Sequence, residues 1–167
     1  LTTETLQALH DVHTQAGAAA TVLTAVIDDA TGYGRILRAA DGSIVGIIEH
    51  KDASDEQRLI GEFNSGIYVF DAALLRAALT RLTTNNAQGE EYLTDVLSIL
   101  RADGHRVAAS VAENADEVMG VNDRVQLALA ARLLRHRINA AHMRNGVTII
   151  DPETTWIQPD VEIARDA

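Results

Sequence analysis

Two polar side chains at the ends of predicted strands are candidates for binding a ligand through hydrogen bonds. Glu49 ends an apolar run, and Asn64 stands at the start of another. An ionised carboxylate accepts two hydroxyl hydrogens at once, and an amide both donates and accepts. These groups suit a sugar ring with vicinal hydroxyls or an acetamido group. The same residues also fit a surface carboxylate paired with Lys51 and a simple turn before Gly66.

The loop 31–35, Thr-Gly-Tyr-Gly-Arg, follows a continuous apolar run and contains two glycines. Open α/β sheets place their ligand crevice after such strands. Gly34 would let a ligand approach the backbone closely, because glycine has no Cβ. An ordinary glycine-bearing turn has the same pattern. The loop is neither a P-loop nor a dinucleotide fingerprint, since the required glycine and lysine spacings are missing.

Asn122 directly precedes the longest helical pattern of the chain. It is a candidate N-cap, because a short polar side chain before a helix can accept from the first free N–H groups. It is also a candidate oxygen ligand for Mg²⁺, which takes few protein ligands and prefers oxygen. The chain has no cysteine, which excludes a thiol nucleophile, disulfides, zinc fingers and iron–sulfur clusters.

Strands that alternate with helices must position these residues, and this alternation predicts an α/β layer fold. Apolar and β-branched runs predict strands at 20–28, 35–38, 44–49, 63–70, 107–111 and 147–150. Apolar residues at helical spacing predict helices at 3–13, 55–60, 72–82, 92–100 and 123–144. After residue 150 the composition changes, and both prolines of the chain lie there.

The charge balance argues against nucleic acid and membranes as partners. The chain has 14 basic and 24 acidic residues, and its formal net charge is −10. Duplex nucleic acid and anionic lipid surfaces both repel such a chain. The longest apolar stretch, 16–27, is shorter than the ~20 residues that a membrane-spanning helix needs.

Five segments, taken in order, resemble a bacterial family of bifunctional enzymes, N-acetylglucosamine-1-phosphate uridyltransferase / glucosamine-1-phosphate N-acetyltransferase. They are GYGRI (32–36), IIEHKDASDEQR (47–58), FNSGIYVFD (63–71), NNAQGEEYLTD (85–95) and GVNDRVQL (120–127). The segment 85–95 and the GVNDR sequence are specific to this family, whereas GYGRI is shared by many sugar nucleotidyltransferases.

The resemblance implies a Rossmann-like nucleotidyltransferase fold. Residues 1–121 would be the C-terminal part of that domain, 122–146 a long linker helix, and 147–167 the start of a left-handed β-helix acetyltransferase domain. The implied reaction uses Mg²⁺ and transfers a uridylyl group from UTP to N-acetylglucosamine 1-phosphate, which gives UDP-N-acetylglucosamine and pyrophosphate. The family also implies a cytoplasmic enzyme that is a homotrimer when intact, with no nucleic-acid or membrane partner.

Six positions match substrate-binding residues of that family. Gly34, Glu49 and Asn64 match residues that hold the N-acetylglucosaminyl group, and Tyr92 and Thr94 lie in the segment that closes the sugar pocket. Asn122 matches a residue that binds both magnesium and the nucleotide sugar.

Other parts of the family's active sites have no match in these 167 residues. They are the glycine-rich loop with its lysine, the magnesium-binding aspartate, the acetyl-coenzyme A site and the acetyltransferase histidine; Lys51 does not correspond to the family's lysine. We therefore expect the 167 residues alone to have no uridyltransferase activity. Two alternatives remain open: another sugar-1-phosphate nucleotidyltransferase, or a non-catalytic module for sugar-nucleotide binding or assembly.

Overall fold

The strand β1 (Ala20–Val26) is buried along its first six residues and exposed only at Val26. It belongs to the first of two units in the computed structural model, which describes residues 1–121 and 123–167. The first unit comprises Leu1–Val118 and the second Met119–Ala167. A strand that is buried along nearly its whole length must be covered on both faces, as its continuous apolar sequence predicts.

Five strands form one sheet in the first unit. Besides β1 they are β2 (Arg35–Arg38), β3 (Ile44–Ile48), β4 (Glu62–Phe70) and β5 (Val107–Val111). Their order across the sheet is β3-β2-β4-β1-β5. β1 and β5 are parallel, whereas β1 with β4, β2 with β4 and β2 with β3 are antiparallel. The α/β class predicted from the sequence is confirmed, with a mixed sheet.

Helices of the first unit begin at short polar residues, as capping chemistry requires. They are α1 (Thr3–Ala16), α2 (Asp55–Arg58), α3 (Ala72–Leu79) and α4 (Asp95–Ala102), and a 3-10 helix spans Ala115–Glu117. Thr2 caps α1, and Asp71 caps α3 by accepting from the N–H groups of Ala73 and Leu74. Ser54 caps α2 in a reciprocal capping box with Gln57.

Two apolar clusters cover the sheet. Side chains of successive strand residues point to opposite faces, and β1 accordingly contributes Val22 to one cluster and Leu23 to the other. The first cluster also contains Leu97 of α4, and the second contains Leu9 of α1. The helices therefore hold the sheet from both sides and fix the positions at which its strands end.

The second unit contains one long helix, α5 (Arg124–Arg144), followed by turns. Asp123 is the N-cap of α5, since its side chain accepts from the Gln126 N–H at 2.7 Å. The capping role considered for Asn122 is thus filled by its neighbour, and Asn122 itself lies outside the described residues. Asn139 is the buried residue among the described residues of α5.

Several sequence-based boundaries were wrong by two or three residues; α1, for example, ends at Ala16 and not at residue 13, and β1 ends at Val26 and not at residue 28. The helix predicted from residue 92 begins at Asp95, and the helix predicted to end at 82 ends at Leu79. The strand predicted at 147–150 does not form, because a strand needs a hydrogen-bonded partner along its length. In the described residues 147–167, some backbone bonds close local turns, such as those from the Thr155 N–H to Asp151 O and from the Val161 N–H to Gln158 O. Two others join the ends of the segment, from the Asp166 N–H to Gly146 O and from the Thr148 N–H to Ala167 O. The start of a β-helix at 147–167 stays a prediction.

Candidate functional site

The carboxylate of Glu49 is held at the end of β3 by a threonine from another element. Glu49 follows Ile48, the last residue of β3. The hydroxyl of Thr94, which is 6% exposed, donates to Glu49 Oε1 at 3.1 Å. Thr94 occupies the N-cap position of α4, but within the described part of the chain its side chain makes no cap hydrogen bond. Its hydroxyl therefore orients the carboxylate, whose Oε2 accepts no hydrogen bond from the described residues and is free for a ligand.

Gly34 lies against that carboxylate. A Cβ on Gly34 would be 3.4 Å from each carboxylate oxygen of Glu49 and 3.0 Å from Cγ2 of Ile47. A larger side chain would fill the space in front of Glu49, which explains why a glycine suits this position. The carbonyl oxygen of Gly34 accepts from the Asn64 N–H at 2.9 Å, so the loop before β2 and the start of β4 are joined at the same place.

A buried arginine fixes the loop that carries Gly34. Arg35 is 1% exposed, and its guanidinium donates to the backbone carbonyl of Tyr33 and to that of Arg58 at 3.4 Å. These two bonds reduce the cost of burying the charged group, although the Nε of Arg35 has no hydrogen-bond partner among the described residues. These contacts tie the glycine loop to the end of α2 and hold Gly34 in place beside Glu49.

Asn64 stands at an irregularity in β4. Val22 of β1 pairs with Tyr68 of β4, and Thr24 pairs with Asn64, so four steps along β4 match two steps along β1. The extra residues form a bulge in which Gly66 has a φ of 79°. The bulge shortens the distance between Asn64 and Tyr68, and the Tyr68 hydroxyl donates to Asn64 Oδ1 at 2.9 Å.

The loop before α4 is fastened to the residues that follow Glu49. Asp52 accepts from the Ala87 N–H at 2.7 Å and from the Tyr92 hydroxyl at 3.3 Å. Gln88 Nε2 donates to the Tyr92 hydroxyl at 2.8 Å, and Lys51 donates to Gln88 Oε1. These bonds hold Tyr92 next to the carboxylate of Asp52. Tyr92 was predicted to be the first residue of a helix at 92–100, but it precedes α4, which begins at Asp95.

Negative charge accumulates at this end of the sheet. Burial raises the pKa of the Tyr92 hydroxyl, the hydrogen bond from Gln88 opposes the increase, and the charges of Asp52 and Glu49 add to it. Burial and the charge of Asp52 also raise the pKa of Asp95. Acceptors in such a setting recognise neutral groups that donate hydrogen bonds, such as sugar hydroxyls, and repel phosphates.

Five of the six site residues predicted from the sequence lie at or next to the end of β3, around the Glu49 carboxylate. The contacts described above connect Gly34, Glu49, Asn64, Thr94 and Tyr92. Asn122, predicted to bind magnesium and the nucleotide sugar, lies outside the described residues. Sequence reasoning missed the supporting residues Asp52 and Tyr68. Both lie inside the family-like segments 47–58 and 63–71, but their partners are distant in sequence or depend on the bulge.

The described residues do not build a magnesium site by themselves. In residues 1–121 and 123–167, no three His, Asp or Glu side chains are grouped closely enough to hold a metal ion. No helix in the described part of the chain is long and apolar enough to cross a membrane.

The chain is similar to known proteins along almost its whole length. Residues 1–146 match the nucleotidyl transferase family. Proteins named "Bifunctional protein GlmU" are 57% identical in Corynebacterium aurimucosum (98% of this chain, 34% of that protein), 55% in Geobacillus thermodenitrificans (99% and 36%) and 59% in Pseudarthrobacter chlorophenolicus (92% and 31%). The chain spans about a third of the length of these curated relatives.

Proposed function

The chain belongs to the nucleotidyl transferase family, and we propose that it is the part of a uridyltransferase that holds the sugar phosphate. The proposed reaction transfers a uridylyl group from UTP to N-acetylglucosamine 1-phosphate and yields UDP-N-acetylglucosamine and pyrophosphate. Relatives at 53–59% identity that carry the name "Bifunctional protein GlmU" support this assignment, together with the family-specific segment 85–95.

One observation carries the proposal: Glu49 is oriented by Thr94 directly in front of Gly34. The threonine hydroxyl occupies Oε1 and leaves Oε2 to accept from a ligand hydroxyl. The glycine leaves room for a ring beside the carboxylate, and Asn64 is joined to the same backbone. A free acceptor next to open backbone is the arrangement that a sugar ring with several hydroxyls requires.

In this proposal an oxygen of the sugar 1-phosphate attacks the α-phosphorus of UTP. The bond from that phosphorus to the bridging oxygen breaks, and pyrophosphate leaves. The reaction needs positioning and charge stabilisation rather than a side-chain nucleophile. Glu49, Asn64 and Thr94 orient the sugar, and Tyr92 borders it; the anionic phosphates would lie away from the acidic end of the sheet.

A divalent metal is general in nucleotidyltransferases of this kind, and we propose Mg²⁺ with Asn122 as one ligand. The metal would neutralise charge on the phosphates. The proposal further includes a cytoplasmic, homotrimeric enzyme in which 147–167 begin the β-helix of an acetyltransferase domain. Support for these parts is the family resemblance and the name of the relatives, which describes them as bifunctional.

The sugar site is tested by titrating the ¹⁵N-labelled 167-residue chain with N-acetylglucosamine 1-phosphate. We expect the amide resonances of Gly34 and Asn64 to shift. Glu49→Gln should weaken binding roughly tenfold or more, because it removes a charge-assisted hydrogen bond. The matched control is Glu56→Gln, an exposed glutamate in α2, which should leave the affinity unchanged. Equal affinities of the Glu49→Gln variant and the wild type would refute the assignment of Glu49.

The nucleotide is tested in the complete gene product, by comparing UTP with dTTP as donor to N-acetylglucosamine 1-phosphate. Faster turnover with UTP supports the proposal. Faster turnover with dTTP would instead support another sugar-1-phosphate nucleotidyltransferase, and binding without turnover of either nucleotide would support a non-catalytic sugar-nucleotide module.

A further inference from the structure

The orientation of the Asn64 amide follows from a backbone contact. The N–H of Gly66 donates to Asn64 Oδ1 at 2.9 Å. A backbone N–H is always a donor, so the atom that faces it must be the amide oxygen and not the amide nitrogen. The assignment of the two ends of this amide therefore does not depend on any choice between its two flipped forms.

The same oxygen accepts a second hydrogen bond, from the hydroxyl of Tyr68 at 2.9 Å. In a regular strand residues four apart are separated by roughly 13 Å, beyond the reach of this contact. The bulge around Gly66 removes about half of that separation, since Asn64 and Tyr68 face Thr24 and Val22 of β1. The contact is thus a product of the bulge.

The Tyr68 hydroxyl is protonated at neutral pH, because its pKa is raised above the ordinary value of 10.0. Burial raises the pKa of Tyr68 far above its usual value, and the charge of Glu49 adds to the increase, although the hydrogen bond to Asn64 opposes it. Tyr68 is therefore a permanent donor to Asn64 Oδ1. Tyr68 packs against the core cluster that contains Ile47, whose side chain also lies against Gly34.

The nitrogen of the Asn64 amide has no such partner. In the described residues, Nδ2 makes no hydrogen bond, although Oδ1 accepts two. Asn64 is half-buried, and its Nδ2 is not among the side-chain atoms that are fully buried without a partner, so solvent reaches this nitrogen. The side chain thus has two N–H donors to offer, and its residue is joined through its backbone N–H to Gly34, which faces the Glu49 carboxylate.

We infer that Tyr68 is a positioning residue. It holds the side-chain amide of Asn64 so that the amide nitrogen, Nδ2, donates to an acceptor atom of the sugar phosphate. This inference rests on the proposed function for the identity of the ligand. It assigns opposite roles to two neighbours: Glu49 takes a hydrogen from the ligand, and Asn64 gives one. Without the Tyr68 hydroxyl, Asn64 Oδ1 keeps only the Gly66 contact, and the amide samples other orientations.

A structural role of the same ring is separable from this one. Tyr68 stacks on Phe70 with ring centroids 5.3 Å apart and packs against the core cluster that contains Val22. Phenylalanine retains both contacts and lacks only the hydroxyl, so Tyr68→Phe isolates the bond to Asn64. Ser65→Ala is the matched control, because it deletes another hydroxyl of the same bulge. Ser65 Oγ donates to Leu23 O at 2.7 Å and accepts from the Ile67 N–H, and among the described residues it makes no hydrogen bond to the Asn64 side chain.

The first experiment observes Asn64 directly, without a ligand. In the ¹⁵N-labelled 167-residue chain, Tyr68→Phe should move the Asn64 side-chain NH₂ resonances and leave the backbone amides of β4 nearly unchanged. Ser65→Ala should shift bulge amides but not the Asn64 side chain. The inference is overturned if Tyr68→Phe leaves the Asn64 side chain unchanged, or if Ser65→Ala moves it as much.

The second experiment measures the dissociation constant for N-acetylglucosamine 1-phosphate. Tyr68→Phe should raise it about fivefold, the value of one ordinary hydrogen bond, and Ser65→Ala should not. Asn64→Asp replaces the donor with an acceptor and should weaken binding further. Adding Tyr68→Phe to Asn64→Asp should then have little extra effect, because Tyr68 acts through Asn64. Additive losses would overturn the inference.

The two proposals fail in different ways. If the wild-type chain does not bind N-acetylglucosamine 1-phosphate, the proposed function of this site is refuted, while the ligand-free resonances still decide whether Tyr68 orients Asn64. If binding occurs and Tyr68→Phe has wild-type affinity, the proposed function stands and the role of Tyr68 is refuted.

Discussion

The two units of this chain use their polar residues in opposite ways. In the first unit two apolar clusters cover the sheet, and polar side chains such as Glu49 and Asn64 stand at the ends or irregularities of strands. In the second unit the described part of α5 buries a polar residue, Asn139, and exposes apolar ones, with Val125 79% and Leu127 56% exposed.

Two buried polar residues, Thr94 in the first unit and Asn139 in the second, differ in their hydrogen-bond partners. Thr94 donates to a side-chain carboxylate that keeps a free oxygen. Asn139 donates to two backbone carbonyls, Pro152 O and Thr155 O, each at 2.9 Å. A polar group that satisfies backbone carbonyls holds the chain together, whereas one that orients another side chain prepares it for a ligand. Asn139 therefore holds the segment that follows α5, and we propose that Thr94 orients Glu49 for a ligand.

Core leucines provide the largest expected contrast. Leu97 in α4 is 1% exposed, and Leu97→Ala should lower the free energy of unfolding by about 2–5 kcal/mol through the cavity it leaves. Leu134 in α5 is 41% exposed, and Leu134→Ala should cost less than about 1 kcal/mol. Urea denaturation measures both. Similar losses for the two variants would contradict an apolar interior confined to the first unit.

Asn139→Ala should produce the next largest effect. It leaves the carbonyls of Pro152 and Thr155 without their donor, which costs about 2 kcal/mol when no water replaces it. Hydrogen exchange should accelerate across 147–157 and remain unchanged in β1. Arg132→Ala, an exposed substitution on the same helix, is the control. If Asn139→Ala exchanges like the control, the segment is held by other contacts.

A smaller effect separates recognition from capping. Thr94→Val should weaken binding of N-acetylglucosamine 1-phosphate about fivefold and hardly change the melting temperature, because Thr94 orients Glu49 and does not cap α4. Asp71→Ala removes a true cap of α3. It should cost about 1 kcal/mol of stability and leave the affinity unchanged. Calorimetry of both variants checks this crossed pattern, and a loss of stability in Thr94→Val without a loss of affinity would reverse the assignment.

The smallest expected effect concerns ion pairs. Burial alone would raise the pKa of Glu62, but hydrogen bonds from Arg38 and Thr24 outweigh it and hold that pKa below its ordinary value of 4.5. The resulting stabilisation is fully present above pH 4.5 and is lost as the pH falls through the lowered pKa. Glu62→Gln should therefore destabilise the protein at neutral pH, and its difference from wild type should shrink on acidification.

Glu153 in the second unit provides the matched comparison for Glu62. Its side chain pairs with Arg135 at 2.8 Å but is 68% exposed, against 14% for that of Glu62. Solvent screens such a pair, so Glu153→Gln should change the unfolding free energy less than Glu62→Gln at neutral pH. Urea denaturation from neutral pH to about pH 3 measures both; a larger loss in Glu153→Gln would remove this difference between the units.

The order of strands and helices in the first unit was predictable, because hydrophobic periodicity is local. The buried run at β1 and the apolar spacing of α3 are both visible in the sequence. Errors arose where the local pattern competes with tertiary contacts. Tyr92 fits a helical pattern, but its bonds to Asp52 and Gln88 keep it outside α4. The strand predicted at 147–150 depends on a partner strand, and the apolar residues alone cannot supply it.

The sequence by itself determined which residues could recognise a sugar: a carboxylate after a strand, a glycine without a side chain and an amide before a turn. Only the tertiary structure decided how they act together. Glu49 and Thr94 are 45 residues apart, and their contact exists because α4 packs on β3. The amide of Asn64 is a donor because a bulge turns the Gly66 N–H and the Tyr68 hydroxyl onto its oxygen. Residue type sets what a group can do, but donor and acceptor roles depend on which neighbours the chain path brings within about 3 Å.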